Sequence, residues 1–291
     1  MGPQILLQAR LLRRATRRVA QTLRYGSLSE SPVFFANSFP KSGTHLLTQV
    51  MHGFTRLGPA VDSGLPAVVS FDGFTGRQRS ITEIMADLRR FLPGDIGYGH
   101  VHAFPDAVDW LCRPGFAAYF ILRDPRDVVV SHVHYVAEMA PNHIHYFYYH
   151  EVLQTFDERL CASITGVPVD ELAKAGGGKP VYEPLPDIRR RFAPYLGWLG
   201  QPDVLVLRYE DFITDRQATL ARVLDHAVSR GFKLAIDRKP ALLTLEQSID
   251  PSRSPTFRSG KIGGWQSSFT PEHNLLFDQV AGSLLSDLGY D

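Results

Sequence analysis

Three short stretches of this chain combine basic, hydroxyl and imidazole side chains at spacings suited to handling an anion. Pro40-Lys41-Ser42-Gly43-Thr44-His45 joins a strand-like run to a helix-like one. A glycine at position 43 lets the backbone turn tightly and approach a ligand. The first amides of the following helix lack intrahelical acceptors and point outward, and together with the helix dipole they favour an anion. Lys41 adds a point charge, and Ser42 and Thr44 add hydroxyl donors. The segment reads as a phosphate cradle, although the GxxxxGK[ST] spacing of nucleoside-triphosphate loops is absent. The plainer alternative is a helix start capped by Ser42 or Thr44, with Lys41 in solvent.

The second stretch, Arg123-Asp124-Pro125-Arg126-Asp127-Val128-Val129-Val130-Ser131, follows another apolar run. Arg123 ends a strand, at the edge where open α/β sheets bind ligands. Pro125 suits the first turn of a helix, and Ser131 falls roughly two turns along it. A guanidinium and a hydroxyl so placed can share one phosphate. Arg126 and Asp127 are expected to make surface or loop pairs, or Asp127 to cap the helix.

The third stretch, Gly97-Tyr98-Gly99-His100-Val101-His102-Ala103-Phe104-Pro105, offers two imidazoles. Histidine suits proton removal near neutral pH. In a strand, His100 and His102 share a face, so either can enter a site; a structural histidine is the alternative. His132, His134, His143, His145 and His150 also crowd together, but no cysteine or HExxH pattern accompanies them. Beside Tyr146-Phe147-Tyr148-Tyr149 they read as the lining of an acceptor pocket or as helix packing, rather than as a metal site.

These residues need elements to hold them. Val33–Phe39, Phe116–Leu122 and Val204–Tyr209 are apolar runs of strand length. Leu46, Leu47, Val50, Met51 and Phe54 recur at helical spacing up to Gly58-Pro59, and a second helix is expected from Thr82 to Phe91. The rest of 59–97 is rich in glycine, proline, serine and aspartate, and Gly176-Gly177-Gly178 reads as a loop. Continuous apolar strands alternating with helices predict a parallel sheet covered on both faces. The expected class is α/β, a P-loop-like three-layer fold.

A chain of 291 residues with a net charge of +1 has room for one large core, and its overall charge does not point to nucleic acid as a partner. Cys112 and Cys161 cannot build a disulfide framework and fit a reducing compartment. There is neither a transmembrane-length apolar run nor a secretory apolar region, so a cytoplasmic location is expected. Residues 1–25 stand apart: Arg10, Arg13, Arg14, Arg17, Arg18 and Arg24 alternate with Leu6, Leu7, Leu11, Ala15 and Val19, and no acid precedes Glu30. Residues 1–28 are expected to form a basic amphipathic helix ahead of a domain at 29–291. That helix either packs its apolar side on the domain or lies peripherally on an anionic membrane; a transit peptide is a third reading.

PKSGT after the first strand and RDPRDVVVS after a later one resemble the PAPS-dependent sulfotransferases (PAPS is 3′-phosphoadenosine 5′-phosphosulfate). Leu207-Arg208-Tyr209-Glu210-Asp211-Phe212 resembles that family's RYEDL strand end, and Phe257–Thr270 its C-terminal RKGxxGDWKxxF loop. The four motifs, in order, span residues 33–270. The resemblance implies PAPS as donor and PAP as product, with no metal. It assigns the 5′-phosphosulfate to Lys41, Ser42, Gly43, Thr44 and His45, and the 3′-phosphate to Arg123, Ser131, Arg258, Ser259 and Gly260. The resemblance also implies that Tyr209 lies near the adenine. It also favours His100 over His102 as general base, with Lys41 neutralising the leaving oxygen. The acceptor is expected to be a hydroxyl on a small molecule, lipid or sugar. Ser259 and Gly264 stand where the family often has lysine and aspartate, and Tyr98 where a subset has lysine; Lys261 can compensate in part. The rivals are a P-loop kinase, which needs Mg²⁺ and a full Walker lysine arrangement, and a catalytically silent nucleotide-binding or membrane-associated scaffold.

Overall fold

The computed structural model describes residues 3–174, 181–254 and 260–290, with side chains from residue 8 onward. Its strands are β1 (Val33–Ser38), β2 (Val61–Asp62), β3 (Val68–Val69), β4 (Phe71–Asp72), β5 (Arg77–Gln78), β6 (Asp95–His100), β7 (Phe116–Leu122) and β8 (Val204–Arg208). The helices used below are α1 (Pro3–Tyr25), α2 (Thr44–Gly53), α3 (Ile81–Leu88), α4 (Pro105–Cys112) and α5 (Pro125–His134).

The chain divides into two compact units. The first comprises residues 1–69, 81–122 and 197–255 and holds the central sheet, in the order β2-β6-β1-β7-β8 with β3 also paired to β6. Every pairing in this sheet is parallel, as the apolar strands predicted. All residues of β1 and β7 are buried. Phe34 on one face of β1 meets Phe54 and Phe232, whereas Phe35 on the other meets Phe91, so both faces are covered. Tyr119 in the middle of β7 is fully buried and gives its hydroxyl to the Val223 carbonyl.

The first and third predicted strands each end one residue early, and the expected 82–91 helix is Ile81–Leu88. β2 and β3 were invisible in the sequence because two-residue strands are set by their partner, β6, rather than by propensity.

α1 packs in the first unit by its charged side. Arg14 and Arg18 both pair with the fully buried Asp95, and Arg17 with Asp62 at 2.6 Å. Asp95 also accepts the Leu92 amide at 2.7 Å, so the buried carboxylate is fully engaged. This reverses the expectation that the apolar side would face the domain. Leu12, Val19 and Leu23 are instead 71%, 60% and 83% exposed.

The second unit, residues 70–80, 123–196 and 256–291, contains the β4–β5 hairpin, α5 and the Phe156–Thr165 and Pro271–Ala281 helices. Both of these helices start with a capping box, at Thr155/Glu158 and at Thr270/His273. The Gly176-Gly177-Gly178 segment lies outside the described residues.

Candidate active site

The turn that the sequence reads as a phosphate cradle begins where buried β1 stops. Lys41 has φ of 69°, the one non-glycine among the described residues in the left-handed region, and Gly43 has φ of 100°. Left-handed backbone costs a non-glycine residue about 1–2 kcal/mol, a strain typical of ligand-binding turns. Gly43 is also the N-cap of α2, and no side chain caps the helix. The sequence alternative of Ser42 or Thr44 as cap is therefore not what forms. Thr44 Oγ1 lies 2.8 Å from Ser38 Oγ instead. Ser42 is fully buried, and its Oγ has no hydrogen-bond partner among the described residues. An uncapped helix start beside an orphaned buried hydroxyl is the chemistry that an incoming phosphate oxygen completes.

Gly43 is required for a second reason. A Cβ at this position would stand 2.7 Å from Cδ2 of Tyr209. Tyr209 is buried just past β8 and donates its amide to the Leu122 carbonyl, which fixes the ring against the turn.

His100 closes β6 beside the end of β1. Its Nδ1 lies 2.9 Å from the Ser38 carbonyl oxygen and 3.1 Å from Ser38 Oγ. A carbonyl only accepts, so Nδ1 carries the proton and Nε2 keeps its lone pair. Burial lowers the His100 pKa from its ordinary value, with His45 and Lys41 acting the same way and the Ser38 bond opposing them. Burial and Lys41 likewise lower His45. The fold therefore brings Lys41, His45 and His100 within electrostatic reach of one another.

The expectation that His100 and His102 share a strand face is not met, because β6 ends at His100. Burial depresses His102 to about 4. Asn37, which belongs to none of the sequence motifs, explains the geometry after His100. Its side-chain amide donates to the Val101 carbonyl (2.9 Å), and its oxygen accepts the Val101 amide (2.8 Å). Trp198 Nε1 also donates to that carbonyl. The signal available was an asparagine inside a buried strand.

The Arg123–Ser131 stretch, the second candidate anion element, lies in the second unit. Arg123 donates from Nη2 to Asp127 at 3.0 Å and to the Lys261 carbonyl at 2.7 Å. Asp127 is not a surface pair. It is 3% exposed and also accepts the amides of Gly263 and Trp265, each at 2.9 Å. The cap of α5 is Asp124, which accepts the Arg126 amide and pairs with the Arg126 guanidinium. That guanidinium lies over the Trp265 ring at 4.1 Å. Ser131 is half-buried on α5, and Gly260 begins the described part of the C-terminal loop with φ of 65°. Arg258 and Ser259 lie outside the described residues.

The histidine cluster is engaged in packing. His132 meets Ser163 Oγ at 3.0 Å and the Tyr149 ring edge-on, His143 stacks edgewise on Tyr135 and His145, and His150 stacks on Tyr146. Burial pushes His145 down to about 3. Among the described residues no group of three metal-ligating side chains forms.

No protein-family model and no curated protein matches the sequence. Solved structures do match. Retinol dehydratase in complex with androsterone and the inactive cofactor PAP is 16% identical with a TM-score of 0.56, covering 88% of this chain and 81% of that one. Mouse sulfotransferase SULT7A1 complexed with PAP is 18% identical with a TM-score of 0.54, covering 94% and 89%. Retinol dehydratase with retinol and PAP is 16% identical with a TM-score of 0.55, covering 88% and 82%. The chain has the α/β fold of these sulfotransferase structures.

Proposed function

We propose that this protein transfers a sulfuryl group from PAPS to a hydroxyl acceptor. The observation that carries the reading is the cradle at Lys41–Thr44: an uncapped helix start, an orphaned buried Ser42 hydroxyl and a lysine held in left-handed backbone, next to a histidine that carries its proton on Nδ1. The solved neighbours bound to PAP add weight.

In this reading Ser42, the amides at 43–45 and Lys41 hold the 5′-phosphosulfate. Arg123 and Ser131, with Arg258, Ser259 and Gly260, hold the 3′-phosphate, and Tyr209 lies by the adenine. PAPS supplies the sulfuryl group. His100 Nε2 takes the acceptor's proton as its oxygen bonds to sulfur, and Lys41 offsets the charge that builds on the bridging oxygen as the sulfur–oxygen bond breaks. Pre-positioned charge in a partly dry site is the principal means of lowering such a barrier. The acceptor is a hydroxyl on a small molecule; androsterone and retinol are the ligands in the neighbouring structures.

α1 supports a further element of the reading. No described helix is long and apolar enough to cross a membrane. Yet α1 turns its apolar side outward, and no acid precedes Glu30. That face suits the surface of an anionic bilayer, with the rest of the first unit behind it.

The test of the function is transfer of radioactive sulfate from labelled PAPS to a mixed set of alcohols and phenols, with ATP and Mg²⁺ as the control donor. Sulfated product from PAPS alone supports the proposal. Phosphorylated product, or tight PAP binding without any transfer, overturns it in favour of a kinase or a silent nucleotide-binding scaffold.

A further inference from the structure

A cavity of about 430 Å³ opens in the first unit under α1. Its walls are Arg10, Arg13 and Arg17 of α1, His52 of α2, the turn from Asp62 to Ala67, and Ile96 and Tyr98 of β6. This is the size of a small-molecule site. Three arginines face a single carboxylate, and that carboxylate is already engaged. Asp62 pairs with Arg17 at 2.6 Å, accepts the Gly64 amide at 2.9 Å, and lies 3.6 Å from His52 Nε2. Arg10 and Arg13 are exposed and make no hydrogen bond or ion pair among the described residues. The cavity therefore holds an uncompensated positive charge, which an anion of matching size would neutralise.

Two of its walls run toward the reacting groups. Side chains on a strand alternate, so Ile96, Tyr98 and His100 lie on one face of β6. His100 is thus about 7 Å beyond Tyr98, two strand residues along. On α2, His52 lines the cavity and His45 lies two turns toward the N-terminus, about 10 Å away. His45 is one of the groups that act on His100.

We infer that this cavity is the far end of the acceptor pocket. The preferred acceptors are hydroxyl compounds carrying an anionic group (carboxylate, phosphate or sulfate) at the end remote from the hydroxyl, with Arg10 and Arg13 holding the anion. The inference rests on the proposed sulfuryl transfer and names its substrate class.

The experiment compares a hydroxyphenylpropanoate with its methyl ester, in transfer and in equilibrium binding to the PAP-loaded protein. Wild type is set against Arg10→Ala/Arg13→Ala and against the double lysine variant. The expected result is a KM for the acid at least tenfold below that for the ester. The alanine variant should raise the KM and Kd of the acid by about 10–100-fold while leaving kcat and the ester unchanged, with lysine restoring most of the loss. Equal use of acid and ester, or loss on both alike in the variant, overturns the inference while sulfuryl transfer itself stands. Acid binding that depends on the arginines but leaves transfer to the ester uninhibited also overturns it, because the anion would then occupy a site apart from the acceptor. If neither compound is sulfated and no other hydroxyl acceptor is, the failure belongs to the proposed function.

Discussion

The Ser38 carbonyl oxygen lies 2.9 Å from Nδ1 of His100, and this one contact fixes which nitrogen of the imidazole is basic. Ser38 ends β1 and His100 ends β6, two parallel neighbours whose register sets Asn37 opposite Gly99. The sheet itself therefore selects the tautomer that leaves Nε2 able to accept a proton.

Replacing His100 with alanine is expected to lower kcat by about 10²–10⁴-fold with PAP affinity unchanged, whereas His102→Ala changes kcat less than threefold. Single-turnover transfer alongside PAP titration separates the two. Because the His100 pKa is lowered by burial, the imidazole is already neutral at pH 7. The rate is then level from pH 7 upward and falls only as pH drops below about 6.5, the ordinary histidine value. An acid limb centred above that value would argue against His100 as the base.

Gly43→Ala is expected to cost both stability and nucleotide. The added methyl meets the Tyr209 ring at 2.7 Å, and the residue is forced to keep φ near 100°. Strain of about 1–3 kcal/mol should appear as a lower Tm, and PAP affinity should fall at least tenfold by calorimetry. Unchanged PAP binding would show that the turn is not the phosphate cradle.

Asp127→Ala removes the acceptor shared by Arg123, Gly263 and Trp265. Losing a buried, multiply bonded carboxylate costs about 3–5 kcal/mol. Protease cleavage within 260–265 should accelerate, and PAP affinity should drop. Asp127→Asn should recover part of both, since its oxygen can still accept an amide. An alanine variant that is cleaved and binds PAP like wild type would mean that Asp127 does not organise the loop.

Leu12→Glu/Leu23→Glu is expected to abolish co-sedimentation with phosphatidylserine vesicles while Tm stays within about 1 °C, because both side chains already face water. Vesicle-independent dimers of the wild type, dissolved by the same variant, would mean that the outward face of α1 pairs with a second copy rather than with lipid.

Much of the candidate site's backbone was legible as sequence. The PKSGT turn, the Arg123 strand end and the three long strands all depend on local signals: glycine where the backbone must turn left-handed, apolar runs where a strand is buried on both faces, proline at a first helical turn. Those preferences act within a few residues, so the linear chain contains them. The separate placements of His100 and His102, the bonding of Asp127 and the orientation of α1 did not lie in such signals. His100 is distinguished from His102 by where β6 stops, and that is set by pairing with β1 across more than 60 residues of chain. Asp127 became the centre of a loop 136 residues away only because the fold delivers two amides to its carboxylate. α1 is amphipathic in any representation of its sequence, but the side it presents follows from Asp95, a buried carboxylate whose desolvation Arg14 and Arg18 offset.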